Sequence, residues 1–375
     1  TFPRDKPCGD GLTPRAIAEL DNLGLTDWLD GRARNRGLRA AGFGQLLYLP
    51  WPGGNLPAHG GAAPRLELDA AIRDVALKSG AAPIEGARVV DVDMSGDRVH
   101  GVVVKDSEGT RTITCRRLIV ADGARSQVGR RLGREWHRDT AYGVAARAYV
   151  KSGRSDDEWI SSHLELRGAD DRLLSGYGWI FPLDDGTLNV GLGLLSTSRE
   201  FQGTNYRRML KEWAGNDEMQ EEWDTTEGNH LGPVLTGPIP MGFNRVPLHQ
   251  RGVLLVGDSG GMVNPFNGEG ISYAMEAGQL AAEVVDRALT TRRTMDLDAF
   301  DTELRQRWGG YYQLGKVFAE LVGNPTVMHV CTEYGMPYRP LMELVLKLMA
   351  HLTDTDPADG KDVLINTLQR LAPAA

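Results

Sequence analysis

The sequence predicts a mixed α/β (α+β) fold with one large or two ordinary domains. Three observations support this fold class. Residues 253–256 are wholly apolar, which is typical of a buried strand in a parallel sheet. Runs of β-branched residues over residues 87–115, separated by turn residues, predict a β-meander. After Gly270 the apolar residues recur at helical spacing almost to the end of the chain.

The composition excludes several classes of protein. Of the 375 residues, 41% are hydrophobic and 25% are charged, which is enough for a sizeable core. The net charge of −8 argues against nucleic-acid binding through counterion release. Cys8, Cys115 and Cys331 lie far apart, which predicts a reducing cytoplasm rather than a disulfide framework. No signal peptide, membrane span or metal-ligand spacing of histidines is apparent, so we expect a cytoplasmic protein without a metal.

The first 140 residues are predicted to alternate between helix and strand. Thr13 as a cap and Pro14 in the first turn predict a helix over residues 13–32, and apolar spacing predicts another over residues 67–79. Residues 37–63 are rich in Gly and Pro, which indicates a hairpin and loop. The predicted strands that follow cover residues 87–92, 98–104, 111–115 and 118–120.

A second region begins near residue 141. Its predicted antiparallel strands cover residues 143–150, 159–166, 176–183 and 187–195, and a helix containing Leu210 and Trp213 follows. The buried strand at residues 253–256 comes next, and then a long helix over residues 270–289. The glycines in residues 191–196 and 310–317 fit neither a complete dinucleotide fingerprint nor a complete P-loop, so we assign no nucleotide to them.

The strongest chemical motif follows the buried strand. Asp258 stands at the carboxyl end of that strand, where open α/β sheets bind ligands. Gly268 and Gly270 allow close approach of a flat ring, and the helix that begins near Gly270 directs its free N–H groups toward that ring. The alternative is a simple strand–turn–helix in which Asp258 caps the helix.

This segment resembles the GD motif of glutathione-reductase-type FAD proteins, and in particular the geranylgeranyl reductase family. Three more segments carry the resemblance. Residues 6–15 (Lys-Pro-Cys-Gly-Asp-Gly-Leu-Thr-Pro-Arg) are similar to the K-x-C-G-x-G loop of the family, residues 120–126 to its DG motif, and residues 176–182 to its Y-x-W-x-F-P motif. The resemblance covers essentially the whole chain and is strongest to actinobacterial menaquinone reductases, which saturate one isoprene unit of the quinone tail.

The resemblance implies an FAD-dependent oxidoreductase that saturates an isoprenoid C=C bond, with a menaquinone side chain as the first candidate. It implies a polyprenyl lipid or quinone as partner, an electron donor that the sequence does not identify, and peripheral contact with the inner face of the cell membrane. The catalytic candidates are Cys8, Tyr177, Trp179 and Phe181. The cofactor-binding candidates are Cys8, Gly9, Gly11, Arg65, Val89, Asp122, Gly123, Asp258, Pro265, Gly268, Gly270 and Ile271.

Alternatives stay open for several of these residues. Tyr177, Trp179 and Phe181 share one face of a strand, so they form either a wall for a polyprenyl chain or ordinary core packing. The thiol of Cys8 either protonates the alkene or only packs. Arg65 either contacts the cofactor or forms a surface salt bridge. The alternative functions are an aromatic hydroxylase of the same flavin architecture and a non-catalytic prenyl-lipid-binding remnant.

The predicted organisation is discontinuous. Residues 1–140 and 247–295 form the FAD-binding domain, residues 141–246 an antiparallel substrate domain, and residues 296–375 a helical region. No complete G-x-G-x-x-G occurs in the sequence. We therefore expect that the first βαβ unit is missing, that this copy is shortened at its amino terminus, and that it binds FAD weakly.

Overall fold

A computed structural model describes residues 2–138, 140–168, 171–322, 324–353 and 359–372 of the chain. The elements up to residue 78 are mostly short helices and strands. They are β1 (Gly11–Leu12), α1 (Pro14–Asn22), α2 (Thr26–Leu29), β2 (Ala33–Asn35), β3 (Gly37–Gly42), β4 (Gln45–Pro50), β5 (Gly60–Ala62) and α3 (Arg65–Lys78). Thr13 caps α1 as predicted. The single helix predicted over residues 13–32 is wrong, because Gly24 adopts a φ of +76° and separates α1 from α2.

The predicted meander and the short strand after it are confirmed. They are β6 (Arg88–Ser95), β7 (Arg98–Asp106), β8 (Gly109–Thr114) and β9 (Leu118–Val120), followed by α4 (Gln127–Arg131) and β10 (Glu135–Trp136). The meander packs its apolar side chains against β9 and α4. It therefore forms a separate small sheet beside the central elements.

The middle of the chain is built mainly from strands. They are β11 (Gly143–Lys151), β12 (Trp159–His163), β13 (Gly176–Pro182) and β14 (Thr187–Leu195), then α5 (Tyr206–Ala214) and α6 (Asp217–Trp223), then β15 (His230–Ile239), β16 (Arg245–Val246), β17 (His249–Gln250) and β18 (Val253–Leu255). Within the described chain, seven strands form one sheet in the order β15-β11-β14-β13-β12-β3-β4. Its neighbours are antiparallel except for the parallel pair of β12 and β3. The sheet thus takes two strands from residues 37–50, outside the predicted range of 141–246, and the domain boundaries stay a prediction.

The two faces of this sheet have different neighbours. On one face, α5 lays Trp213 on Gly178, where a Cβ atom would lie 2.4 Å from the indole Cζ2. On the other face β13 carries Tyr177, Trp179 and Phe181, of which Trp179 and Phe181 contact the amino-terminal loop and Phe181 also packs against residues of a carboxyl-terminal helix. A glycine between aromatic residues therefore lets the sheet pack tightly on both sides.

The buried strand predicted at residues 253–256 is confirmed as β18, and it pairs in parallel with β9. Both strands lie in an apolar cluster with α4. The chain turns after β18 and soon begins α7, so the sheet edge and the start of a long helix come together. This arrangement positions the candidate site.

The remaining elements are helices, as predicted. They are α7 (Ile271–Thr291), α8 (Ala299–Leu304), α9 (Gly310–Val322), α10 (Pro325–Gly335), α11 (Arg339–Met349) and α12 (Gly360–Leu371). The glycine pattern at residues 310–317 lies inside α9, which excludes a P-loop there. Across the described ranges, no helix is both long and apolar enough to cross a bilayer.

Candidate functional site

The turn after β18 places Asp258 at the carboxyl end of a parallel strand pair. Ser259 Oγ donates to the carbonyl oxygens of Val120 and Val256, each at 2.8 Å, and so fixes the turn against β9. The Asp258 carboxylate accepts a hydrogen bond from the Lys6 ammonium at 3.0 Å. The predicted K-x-C-G loop therefore lies beside the predicted GD turn.

The amino-terminal end of α7 lies at the same place. Gly270 is its N-cap residue, and in the described part of the chain no side chain caps this helix. A Cβ atom on Gly270 would lie 3.7 Å from Asp258 Oδ1 and 3.1 Å from Val263 Cγ2. The first N–H groups of a helix lack partners within it, so this end can bind an anion or a carbonyl oxygen. We call the turn at residues 257–260 and the loop at residues 264–270 the glycine corner.

Asn264 holds the loop of the glycine corner in shape. Its Oδ1 accepts from the Phe266 amide at 2.9 Å, and its carbonyl oxygen accepts from the Gly268 amide at 3.0 Å. Its Nδ2 donates to Tyr311 Oη and to the Met349 carbonyl oxygen, both at 3.0 Å. The loop is thereby fixed to α9 and α11.

The rings of Tyr177, Trp179 and Phe181 line one face of β13, and we call them the aromatic wall. Their successive centroids are 6.1 and 6.2 Å apart. Tyr177 Oη donates to the Asn267 carbonyl oxygen at 2.6 Å. This bond brings the aromatic wall directly onto the glycine corner.

Glycines of β14 make room for the wall. The register places Gly191 opposite Trp179 and Gly193 opposite Tyr177. A Cβ atom on Gly191 would lie 2.1 Å from Trp179 Cζ2, which no side chain can tolerate. Gly191, to which we assigned no nucleotide, therefore serves the packing of the sheet, whereas a Cβ atom on Gly193 would make only ordinary contacts.

Glycines of the amino-terminal loop pack directly on the aromatic wall. A Cβ atom on Gly11 would lie 2.7 Å from Phe181 Cε2, and one on Gly9 would lie 3.0 Å from the same atom. The Cβ position of Gly9 is also 3.1 Å from Trp179 Nε1. The close packing of the loop on the wall thus requires glycine at Gly11 and leaves only tight space for a side chain at Gly9.

Cys8 and Arg65, predicted from different segments, are in contact. The Cys8 sulfur accepts from the Asp10 amide at 3.4 Å and from the Arg65 guanidinium. Arg65 Nε donates to Asp69 Oδ1 at 2.7 Å, and the other oxygen of Asp69 pairs with Arg4 at 3.0 Å. Burial lowers the pKa of Arg65, but Cys8 and Asp69 outweigh it and raise the pKa overall. The Arg65 ion pair is largely buried, with 13% of the arginine side chain exposed, rather than a surface salt bridge.

Asp10 is a buried carboxyl group beneath this loop. Its Oδ2 accepts from Tyr149 Oη at 2.6 Å and from Asn189 Nδ2 at 2.8 Å, and its Oδ1 accepts from the Arg65 amide at 3.3 Å. Asn189 Nδ2 also donates to the Cys8 carbonyl oxygen at 2.8 Å. Burial nevertheless raises the pKa of Asp10 to about 6, because desolvation outweighs these hydrogen bonds.

Asp122, Gly123 and Val89 belong to the part of the fold formed by β9 and the meander. Asp122 and Gly123 follow β9 at the same sheet edge as Asp258, and Asp122 Oδ2 accepts from the Val128 amide at 3.1 Å. Val89 packs on the meander in the cluster under α4. An open cavity of about 430 Å³ adjoins this part of the meander, and it is lined by Arg88, Gln127, Arg130 and Arg131.

The groups at the glycine corner fit the ring and ribityl parts of FAD. The free helix end matches a ring carbonyl edge, and the Asp258 carboxylate matches sugar-type hydroxyls. Gly268, with a φ of +78°, and Gly270 keep side chains out of the corner. Pro265 and Ile271 belong to the same loop and helix start. The binding role of each residue stays a proposal.

Three polar residues of the site escape a motif search, namely Asp10, Asn189 and Glu269. Asp10 and Glu269 each stand between two glycines, and Asn189 interrupts an apolar strand. A polar residue inside an apolar strand is a signal that could have identified Asn189. Each of the three has a partner that is distant in sequence and that no local pattern reveals, although Glu269 also bonds to the nearby Ser272.

Comparisons with known proteins agree with this geometry. The family model described as "FAD binding domain" matches residues 3–309. The menaquinone reductase of Mycolicibacterium smegmatis is 43% identical over 360 residues, which cover 96% of this chain and 85% of that protein. The menaquinone reductase of Mycobacterium tuberculosis is 43% identical over 359 residues, with the same coverage of 96% and 85%.

A solved structure shares the fold. A geranylgeranyl bacteriochlorophyll reductase-like protein of Thermoplasma acidophilum superposes with a TM-score of 0.74 at 18% identity. The superposition covers 96% of this chain and 89% of that one. At this identity the likeness establishes the fold alone. The predicted α/β fold class with a glutathione-reductase-type FAD-binding domain is confirmed.

We predict that Gly11→Ala is destabilising because of Phe181. The new Cβ would lie 2.7 Å from the ring, so ring or loop must move, at a cost of about 1–3 kcal/mol. Urea unfolding of Gly11→Ala, Phe181→Leu and the double variant measures the coupling. A smaller penalty for Gly11→Ala in the Phe181→Leu background is expected, whereas additive penalties would contradict the contact.

We predict that the Asp10 carboxyl group makes the fold less stable as the pH rises. Its pKa is raised to about 6 from 3.8, so the folded state holds this proton more tightly than the unfolded state. Its stabilising effect is complete below about pH 4 and is lost as the pH rises through about 6. The linkage amounts to about 3 kcal/mol at most.

The test compares urea unfolding of the wild-type protein with that of Asp10→Asn at several pH values. The free-energy difference between them should shift in favour of Asp10→Asn as the pH rises from about 4 to about 7. Asp97→Asn, in the exposed turn between β6 and β7, is the control. A difference that does not vary with pH would rule out a raised pKa at Asp10.

Proposed function

This chain belongs to the FAD binding domain family, and we propose that it saturates an isoprenoid C=C bond in the polyprenyl side chain of a menaquinone. It is an FAD-dependent oxidoreductase related to the menaquinone and geranylgeranyl reductases, and the family and cofactor predicted from the sequence are confirmed. Menaquinone as the substrate is supported by the relatives that carry that name, at 43% identity over most of the chain.

The contact between the aromatic wall and the glycine corner is the observation that carries the proposal. Tyr177 Oη reaches the Asn267 carbonyl oxygen at 2.6 Å, so the apolar rings adjoin the place where the residues fit a flavin. An alkene has no polar atom that can form a hydrogen bond. It must therefore be bound through shape complementarity and shielded from water. Tyr177 and Phe181 are half-buried and Trp179 is buried between them, so the two outer rings supply the accessible part of such a surface.

FAD, once reduced, supplies the hydride for this reaction, and the residues of the chain do the rest. In our proposal the α7 end and Asp258 orient the cofactor, and the aromatic wall orients the polyprenyl chain. Lys6 forms an ion pair with Asp258 and so balances its charge, and it is not part of the aromatic wall. Arg65 acts through Cys8, because its guanidinium is held between the sulfur and Asp69.

The second hydrogen must arrive as a proton, and we propose Cys8 as its donor. The sulfur accepts hydrogen bonds from the Asp10 amide and from Arg65, which hold it in place. A thiol that accepts at its lone pairs keeps its own S–H free to donate. The loop that carries Cys8 packs on the aromatic wall, so the donor lies next to the proposed alkene surface.

The product distinguishes this proposal from its alternatives. We expect that protein supplied with FAD, a reductant and a menaquinone forms a product heavier by two hydrogens. A product heavier by one oxygen would identify an aromatic hydroxylase instead. Bound menaquinone without turnover would identify a lipid-binding remnant. Flavin content per chain, measured on the same sample, tests the expectation of weak FAD binding.

The hydrogen bond of Tyr177 should matter for the rate of this reaction. Tyr177→Phe keeps the ring but loses the bond to Asn267, so we expect a loss of about twofold to tenfold in turnover. Tyr206→Phe is the matched control, because Tyr206 Oη also donates to a backbone carbonyl, that of Phe201, away from the site. Equal effects of the two substitutions would contradict a role for the wall.

We propose further that the protein meets its lipid at a membrane surface through its carboxyl-terminal helices. Ten of the sixteen large apolar side chains exposed in the described chain lie after residue 316. They are Val317, Leu321, Val330, Tyr334, Tyr338, Leu341, Val363, Leu364, Leu368 and Leu371. Since α9 packs against both α10 and α12, these side chains belong to neighbouring helices.

Vesicle binding tests this surface. Tyr334 and Leu371 are 71% and 75% exposed, so replacing both with Ser should leave the fold intact. We expect the wild-type protein to sediment with vesicles of phosphatidylcholine and phosphatidylglycerol, and the double variant to bind at least about tenfold more weakly. Ile84→Ser removes an equally apolar, half-exposed side chain elsewhere and serves as the control. Unchanged binding of the double variant would exclude the surface.

A further inference from the structure

Glu269 links the two segments that form the glycine corner. Its Oε1 accepts from Thr13 Oγ1 at 2.8 Å and from Ser272 Oγ at 2.6 Å. Thr13 stands directly after the loop at residues 8–12, and Ser272 lies in the first turn of α7. The carboxyl group therefore bridges the starts of two helices, next to the free end of α7.

The second oxygen of this carboxyl group has no partner. Oε2 is buried and makes no hydrogen bond in the described chain. The nearby cation is already engaged, because Arg15 Nη2 donates to both oxygens of Glu276 at 2.5 and 2.7 Å. An ionised carboxylate with a buried, unpaired oxygen and no counter-ion is far more costly than a neutral one.

The groups around Glu269 do not change this balance. The charged and titratable side chains that face it from the packed elements are Arg15 on α1, Glu276 and Tyr273 on α7, Tyr177 on β13, and Tyr311 and Tyr312 on α9. Burial raises the pKa of Glu269 above its ordinary value and Glu276 adds to this, although Ser272, Thr13 and Arg15 act in the opposite direction.

We propose that Glu269 is a positioning residue whose neutral form favours FAD binding, because it leaves no competing negative charge at the end of α7. A carboxylate at this end would itself attract the helix dipole and the free N–H groups. A neutral carboxyl group leaves them to the carbonyl edge of the flavin. The inference rests on the proposed placement of FAD at the glycine corner, and it makes FAD binding depend on the proton of Glu269.

The pH dependence of FAD affinity tests this. The dissociation constant for FAD is measured between about pH 4.5 and about pH 9 for the wild-type protein, Glu269→Gln and Glu269→Ala. Wild-type affinity should fall by up to about tenfold per pH unit once Glu269 ionises. Glu269→Gln should keep the low-pH affinity throughout, because its amide is neutral and its oxygen still accepts from Thr13 and Ser272. Glu269→Ala should bind more weakly at every pH.

Glu283→Gln is the matched control, because Glu283 is an exposed residue on the same helix that accepts from Gln279. It should follow the wild-type curve. A flat wild-type curve would overturn the proposal. So would Glu269→Gln binding FAD as weakly as Glu269→Ala, since the ionised form would then be the useful one.

A second measurement needs no cofactor. A carboxyl group with a raised pKa stabilises the fold below its unfolded pKa, and this stability is lost as the pH rises through the folded pKa. Urea unfolding should therefore favour Glu269→Gln over the wild-type protein increasingly as the pH rises. If FAD binds too weakly to be measured, as expected for a chain without the first βαβ unit, this comparison alone decides on Glu269. A difference independent of pH would contradict the proposal.

Discussion

The close packing of the aromatic wall against glycine is the contact on which the site depends. Gly11 on one side and Gly191 on the other leave no room for a Cβ atom beside the rings, and Gly9 leaves only tight space. In such close packing, nearby backbone polar groups need hydrogen-bond partners that do not displace the aromatic rings. Asn189 meets this need by donating to the Cys8 carbonyl oxygen while it accepts from the Trp179 indole N–H. One amide thus satisfies the loop and the wall together.

The carboxyl groups of the site differ in how their negative charge is compensated. Asp258, at the sheet edge, forms an ion pair with the Lys6 ammonium at 3.0 Å. Asp10 receives neutral donors and a raised pKa. Glu269 shares its surroundings with the Arg15 and Glu276 pair, which is already neutral as a pair. Charge is therefore kept where it can contact solvent or cofactor, and is suppressed behind the helix end.

Local patterns predicted most of the elements because they depend on neighbours in sequence. The meander, the strand alternation of β13 and the parallel strand β18 all follow from short-range apolar spacing. The motif at Asp258 was found from the buried strand before it, whereas those at Cys8 and Tyr177 were found from the family resemblance. Their meeting was expected from the family resemblance, and Tyr177 bonding to Asn267, 90 residues away, provides it.

Features set by distant contacts were not predicted from the sequence. The hairpin of β3 and β4 joins the large sheet through the parallel pairing with β12, more than 100 residues later. Glu343 and Lys347, four residues apart, indicate an exposed helix face, yet Lys347 is buried and pairs with Asp362 Oδ1 at 2.6 Å. The docking of α12 causes this, and no pattern within α11 reveals it.

A series of buried side-chain contacts connects the carboxyl-terminal helices to the glycine corner. The His351 ring stacks on Tyr311 at 3.7 Å between centroids, and Tyr273 Oη bonds to its Nδ1 at 2.8 Å. Burial and the nearby Arg15 lower the pKa of His351 well below its usual value, so this link is neutral. Asn264 then connects Tyr311 to the loop before α7. The exposed apolar side chains proposed to contact the membrane lie on the carboxyl-terminal helices. If the helices are displaced, the loop must therefore be strained, because its hydrogen bonds cannot lengthen in a closely packed interior. Buried, uncharged side chains in this way connect the proposed membrane-binding helices with the proposed cofactor site.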